Sequence, residues 1–276
     1  MSGCNPALSV HNLSVALDSG MQTMEVVRGV NLEVKPDSVL CLVGESGSGK
    51  TMTAMACMGQ LPAGARVAGG CVKLGTAQIV PGCERIMRGI RGGTVSMIMQ
   101  NPMACFHPMR TIGAHFAETL RIHQGLSRKE ARQVAEERMR RVALSDPAGM
   151  LDRYPFQFSG GQLQRIMIAL AMSTSPQVLI ADEPTTALDA SNQKRVLQLL
   201  HDVRKESGAG LLLITHDLGV VAEVADFVAV MYGGEIVETA PVKKFFHHPQ
   251  HEYTRRLLES RIQLKRSARQ MAARGT

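Results

Sequence analysis

A chain of 276 residues, 45% hydrophobic, 20% charged and net +7, holds enough apolar material for one large domain or a domain with an inserted lobe. Nowhere do about 18 apolar residues run together, so no segment is expected to span a bilayer, and Met1–Val10 lacks the basic flank and apolar stretch of a secretory signal. Cys4, Cys41, Cys57, Cys71, Cys83 and Cys105 form no C-x-x-C pair; neither a zinc knuckle nor a disulfide framework is signalled, and a reduced cytosolic chain is expected, with Cys41 and Cys57 as small core residues.

Alternation predicts short strands over Ala7–Val15 and Val30–Lys35. Ser38–Val43 is apolar after its first residue, as a strand buried on both faces must be. It enters a Gly-rich turn and then a helix from Lys50 to about Gly59. Gly59–Gly70, broken by Gly and Pro, reads as loop, and Val95–Met99 as another strand. After Gln100 the texture turns helical. Ser127-Arg128-Lys129-Glu130 is a capping box, opening a helix with Ala131, Val134, Ala135, Met139 and Val142 on one face. Strand texture returns at Val178–Ala181, followed by a helix over Ala190–Ser207 and a strand over Leu211–Thr215. Phe227–Tyr232 and Glu235–Glu238 flank Gly233-Gly234 as a hairpin. Strands alternating with helices imply an α/β fold with a mainly parallel sheet. The expected organisation is a catalytic core over 1–100 and 159–245, an inserted helical lobe over 101–158, and a basic C-terminal extension over 246–276.

Gly44-Glu45-Ser46-Gly47-Ser48-Gly49-Lys50-Thr51 fits G-x-x-x-x-G-K-[ST] between a buried strand and a helix. Glycines let successive N–H groups curl around a polyphosphate, and the helix N-terminus adds partial positive charge. Lys50 is expected to reach the β- and γ-phosphates and Thr51 to ligate Mg²⁺. Val178–Ala181 delivers Asp182 and Glu183 at a strand end; Asp182 suits a Mg²⁺ contact and Glu183 suits a base that orients a water. By themselves these acids could equally cap the turn at Pro184.

Phe158-Ser159-Gly160-Gly161-Gln162 precedes a helix through Met172. It resembles the signature loop of ATP-binding-cassette ATPases. Gln100 resembles that family's Q-loop glutamine, Asp182-Glu183-Pro184-Thr185 its Walker B, Ala187-Leu188-Asp189 its D-loop and His216 its switch histidine. The resemblance covers roughly Leu8–Leu258. It implies a P-loop (RecA-like) core with an N-terminal antiparallel β subdomain and a helical signature lobe. It further implies ATP and Mg²⁺ as cofactors, with Thr51, Gln100 and Asp182 at the metal. Gln100, Glu183 and His216 are the implied catalytic residues. Two such subunits would meet head to tail, so that Ser159, Gly160, Gly161, Gln162 and Asp189 serve composite sites. The implied partners are a second homologous ATPase subunit, two transmembrane permeases and, through them, an extracytoplasmic solute-binding protein. The implied place is the cytoplasmic face of the inner membrane; no nucleic acid is expected.

Tyr154–Gly161, Met231–Glu238 and His248–Leu258 resemble importers of the dipeptide, oligopeptide and nickel group. Peptide importers of that group usually carry a cysteine cluster after the last motif, and this chain has no cysteine beyond Cys105. Leu61-Pro62-Ala63-Gly64, and Met99-Gln100-Asn101-Pro102 with Phe106 and Pro108, are similar to the nickel-import ATPase. Nickel is therefore the expected solute, with dipeptides, oligopeptides or another metal chelate as the alternative and a non-transport ATPase of the same family, acting on DNA or ribosomes, as the remote one. The cluster His247, His248 and His251 is read as part of the group's C-terminal motif rather than as a metal site. The family usually stacks adenine on an aromatic upstream of the P-loop, and no aromatic precedes Phe106; aliphatic residues near Val15–Val26, or the partner, are expected to substitute. The basic run Arg255, Arg256, Arg261, Lys265, Arg266, Arg269 and Arg274 reads as a solvated helical tail.

Overall fold

Strand β1 (Leu8–Asp18) pairs antiparallel with β2 (Thr23–Val34). The chain then enters β3 (Val39–Val43) and helix α1 (Lys50–Cys57). It continues through β4 (Ala65–Leu74), β5 (Ala77–Ile79), α2 (Glu84–Ile90) and β6 (Val95–Ile98). Helices α3 (Ile112–Gln124), α4 (Arg128–Arg141) and α5 (Pro147–Leu151) occupy the predicted lobe. Then follow α6 (Gly160–Met172), β7 (Val178–Asp182), α7 (Ala190–Ser207), β8 (Gly210–Ile214) and α8 (Leu218–Val224). The hairpin β9 (Phe227–Tyr232) and β10 (Glu235–Pro241), α9 (Val242–His247) and a last helix α10 (252–260) close the chain. This computed structural model describes residues 5–18, 20, 22–75, 77–79, 84–185 and 190–260. The tail cations Arg261, Lys265, Arg266, Arg269 and Arg274 lie outside them.

Among the described residues there are two sheets, a four-stranded β2-β1-β4-β5 and a six-stranded β10-β9-β3-β8-β7-β6. The first is antiparallel throughout; in the second only the β9–β10 pair is antiparallel. The continuous apolar runs follow from burial on both faces. Val39, Cys41 and Val43 point into one core with Leu211, Leu213, Val228 and Val230, shared with the helical lobe. Leu40 and Leu42 point into the other with Leu212, Ile214, Ala229 and Met231, beneath the antiparallel sheet. Successive strand residues face opposite ways, so one strand serves two cores. Each fully buried branched side chain contributes roughly 1.5–3 kcal/mol. Cys41 and Cys57 are both buried, and burial pushes the Cys57 thiol up to about 12.

The Ser127 capping box is present, with the Ser127 N–H donating to Glu130 Oε2 at 2.8 Å. Ala131, Ala135, Met139 and Val142 are buried as their spacing predicts. Two expectations are corrected. Residues 65–70, read as loop for their glycines, belong to β4, because pairing with β1 holds them where intrinsic propensity does not. The strand expected at Val30 begins at Thr23, its exposed start hidden from an alternation count.

Candidate nucleotide-binding site

The sheet register assembles the site. Leu42 pairs with Ile214, and Ile214 with Asp182. Ile98 pairs with Ala181, which brings Gln100 level with Glu183 two residues on. The carboxyl ends of β3, β6, β7 and β8 therefore deliver the Gly-rich loop, Gln100, Asp182-Glu183 and His216 to one rim, where ligands bind in such sheets.

The loop from Gly44 to Gly49 wraps the Lys50 ammonium. Nζ donates to Gly44 O (3.0 Å), Glu45 O (2.6 Å) and Ser48 Oγ (3.3 Å). Lys50 is only 6% exposed. Burial pushes it below its usual pKa, while the Glu183, Asp182 and Glu45 charges pull it back up. Glycine is required at two positions. A Cβ on Gly44 would lie 2.1 Å from Met231 O, and one on Gly49, at φ 104°, would lie 2.7 Å from Val26 O. The β9–β10 turn backs the loop, with the Gly234 N–H donating to Ser48 O at 3.2 Å.

Asp182 is 7% exposed, and its Oδ1 has no hydrogen-bond partner. Burial raises its carboxyl above the usual range, the Thr51 hydroxyl beside it lowers it, and the Glu183 charge raises it further. An orphaned carboxylate oxygen next to a hydroxyl is the hard-oxygen donor set Mg²⁺ takes. These residues fit that ion.

Glu183 holds φ +46°, a left-handed conformation uncommon for a side chain of this kind. Its N–H donates to Ile214 O at 2.9 Å. Gln100 Nε2 donates to Glu183 Oε2 at 3.1 Å, and His216 Nδ1 lies 3.0 Å from Oε1. The three residues picked from separate motifs thus form one chain of contacts. Glu183 and His216, but not Gln100, line a cleft of ≈380 Å³ with Gly44, Glu45, Ser46 and Lys50, and Val43, Leu218 and Leu257 form its apolar wall.

Ser159, Gly160, Gly161 and Gln162 are not among the lining residues of that cleft. They open α6, with Ser159 Oγ accepting from the Gln162 N–H (3.3 Å) and Gln162 Oε1 accepting from the Ser159 N–H (3.0 Å). Asp189 lies outside the described residues. Sequence reasoning missed Leu218, Leu257 and Tyr253, whose hydroxyl accepts from the Glu45 N–H at 3.1 Å. The signal for Tyr253 and Leu257 was present in the His248–Leu258 motif, but nothing local says where that motif docks. Of the stretch expected near the adenine, Val15 and Ala16 are buried in the core, so they cannot serve; Met24 is 59% exposed.

A family model described as ABC transporter matches residues 27–186. The chain belongs to the ABC transporter family. It is 44% identical over 267 residues to the glutathione import ATP-binding protein GsiA of Escherichia coli (strain K12), covering 93% of this chain and 42% of that protein. The GsiA of Salmonella typhimurium is 44% identical over 263 residues with the same coverage. The chain thus spans less than half the length of these curated relatives. Among solved structures, the dimeric ATP-binding cassette MJ0796 in a post-hydrolysis state bound to ADP and Pi aligns with TM-score 0.76 at 24% identity, covering 85% of this chain and 98% of that one. CbiO1 from Clostridium perfringens, described as part of the transporter complex cbiONQ, aligns with TM-score 0.72 at 22% identity, covering 88% and 92%. At these identities the structural likeness establishes the ABC ATPase fold. No helix among the described residues is long and apolar enough to cross a membrane.

Proposed function

We propose that the chain is the ATP-hydrolysing subunit of an importer for a peptide-type solute of the glutathione class. The observation that carries the solute is the 44% identity to glutathione import proteins over 93% of this chain. The nickel reading yields to its alternative. It rested on the lack of any cysteine beyond Cys105 and on a resemblance at Leu61–Gly64 and Met99–Pro108, segments of the motor chain.

In this reading the N–H groups of residues 47–51 and the Lys50 ammonium hold the phosphates. Thr51, Asp182 and Gln100 would hold Mg²⁺, which would neutralise phosphate charge. Glu183 orients the attacking water and accepts its proton; each of its oxygens, one in contact with Gln100 and the other with His216, has a further lone pair for that water. His216 then faces the transferred phosphate. Ser159 and Gly161 act on the nucleotide of a second, homologous subunit, with Asp189 at the same junction. The helical segment 101–158 couples the site to two permeases at the cytoplasmic face of the membrane. A solute-binding protein would meet the permeases on the other side. Reconstitution in proteoliposomes tests the proposal: ATP-driven uptake of glutathione or a short peptide is expected, whereas uptake of Ni²⁺ alone would overturn the solute class.

A further inference from the structure

The C-terminal helix reaches the phosphate-binding loop through a peptide unit that has a second duty. The Glu45 N–H donates to the Tyr253 hydroxyl at 3.1 Å. The carbonyl of the same unit, Gly44 O, accepts from Lys50 Nζ at 3.0 Å. The unit is trans, so its N–H and C=O point in opposite directions. Tyr253 and Lys50 therefore grip one rigid plane from its two sides. An N–H already engaged polarises its own carbonyl and strengthens the bond that carbonyl accepts. No side chain at Gly44 can fix the plane by packing, because a Cβ there would meet Met231 O at 2.1 Å.

Tyr253 is itself held firmly. It is 9% exposed, and its ring lies on Tyr232 with centroids 4.3 Å apart. The N-terminal end of its helix is tied to β10, where the Glu238 carboxylate accepts from the Gln250 and His251 N–H groups, each at 2.9 Å. One turn beyond Tyr253, Leu257 lines the cleft. Strand β10 pairs with β9, β9 pairs with β3, and β3 runs into the loop. The contacts thus close a ring from β3 through Glu45, Tyr253, the helix start, Glu238, β10 and β9 back to β3. Burial keeps the Tyr253 phenol above its usual pKa, so it stays a neutral hydroxyl.

We propose that Tyr253 is a positioning residue for the phosphate-binding loop: through the Glu45 N–H it fixes the Gly44–Glu45 peptide, and with it the direction from which Lys50 is held. The C-terminal helix then sets nucleotide affinity while touching no reacting atom. This rests on the reading of the loop as a nucleotide site.

The test is equilibrium binding of a fluorescent Mg·ADP to the full chain, wild type against Tyr253→Phe. Phenylalanine keeps the ring on Tyr232 and removes the hydroxyl's bonds to Glu45, the one from its N–H and the one to its side chain. Affinity should fall about three- to tenfold, the span of a single hydrogen bond, with the melting temperature near that of wild type. In the assembled transporter KM for ATP should rise while kcat stays within about twofold. Tyr232→Phe, which keeps its ring and never met Glu45, should leave affinity unchanged. A merely structural tyrosine would lower the melting temperature and leave affinity alone; that result, or equal affinity in Tyr253→Phe and wild type, overturns the inference and leaves the nucleotide reading standing. A wild-type chain that binds no Mg·ADP would sink both together. Should Tyr253→Phe not fold, hydrogen exchange at the Glu45 amide of the wild-type chain decides. Glu45 is exposed, so slow exchange supports the bond to Tyr253, and exchange at the rate of a free amide overturns it.

Discussion

At the Gly44–Thr51 loop the backbone and Ser48 wrap the Lys50 ammonium beside groups brought from distant strands; at the Ser159–Gln162 loop the groups of one short segment close on each other. The first region keeps a buried ammonium, a buried carboxylate oxygen with no partner and a glutamate at positive φ. In the second, side chain and backbone satisfy one another in a reciprocal cap, which leaves nothing strained. Each opens a helix, but α1 starts from Gly49 with no side-chain cap and α6 from the reciprocal Ser159–Gln162 pair. The difference lies in what the rest of the chain brings. Four strand ends converge on the first loop, while Ser159–Gln162 are not among the residues lining that cleft. In the proposed head-to-tail pair, one loop is a socket built within the chain and the other is a lid carried for a neighbour. The neighbour's loop can be self-sufficient because it must survive in solvent until assembly.

Removing the base should break the socket most severely. Glu183→Gln should still bind ATP but slow hydrolysis by about 10²–10⁴-fold, trapping the paired state; near-normal turnover in the assembled transporter would remove Glu183 from the role. Lys50→Ala should next cost about ten- to hundredfold in nucleotide affinity, the scale of a hydrogen bond to a charged group lost from a buried site. Equal affinity in an equilibrium binding measurement would show that the ammonium never leaves the Gly44 and Glu45 carbonyls for a phosphate.

Stability should move in opposite directions in the two regions. Asp182→Asn removes a buried charge, so the metal-free chain should gain on the order of 1 kcal/mol while Mg²⁺-dependent binding falls. The sign follows from linkage. Asp182 has a folded pKa raised above its unfolded value, so the folded state binds the proton more tightly. Its contribution is therefore most favourable below the unfolded pKa and is lost as pH rises through the folded one. The substitution should flatten that part of the melting-temperature profile in acid; an unchanged profile would contradict it. Ser159→Ala removes an N-cap and should lose about 1 kcal/mol, with nucleotide affinity of the lone chain unchanged. A drop in lone-chain affinity would mean that the two loops meet within one chain.

What could be read in sequence was what is local. The Gly-rich loop, the Ser127 cap and the buried strand runs each state their geometry within a few residues. Two features escaped for opposite reasons. β4 carries Gly69 and Gly70 in its strand, and only pairing with β1, itself bulged near Asn12, holds it extended. Tyr253 is separated from Glu45 by 208 positions, and no spacing rule connects a C-terminal helix to a loop near the start. The solute lay beyond reach for a third reason, since the residues that choose it need not belong to this chain at all.

The smallest expected effect concerns the base of the nucleotide. In the proposed reading the loop's N–H groups, Lys50 and the carboxylate rim all address the triphosphate and are blind to what it carries. In the upstream stretch where an aromatic would stack, Val15 and Ala16 are committed to the core and Met24 is the large apolar side chain left exposed. A flexible thioether can cover either purine but offers neither an aromatic face nor an edge-reading hydrogen bond. Base–aromatic stacking is worth roughly 1–3 kcal/mol in single-strand nucleic-acid binders, and a site lacking it loses that term for both purines alike. ATP and GTP should therefore differ little in affinity, and Met24→Tyr should give only a modest gain for each. Competition between the two nucleotides as Mg²⁺ complexes, on the assembled transporter, measures the difference. A preference for ATP beyond about a hundredfold, near 2.7 kcal/mol, would require specific donors and acceptors on the adenine edge. The partner subunit would then be the place to look for them, and the comparison would shift: the socket would depend on its neighbour for the base as well as for the lid.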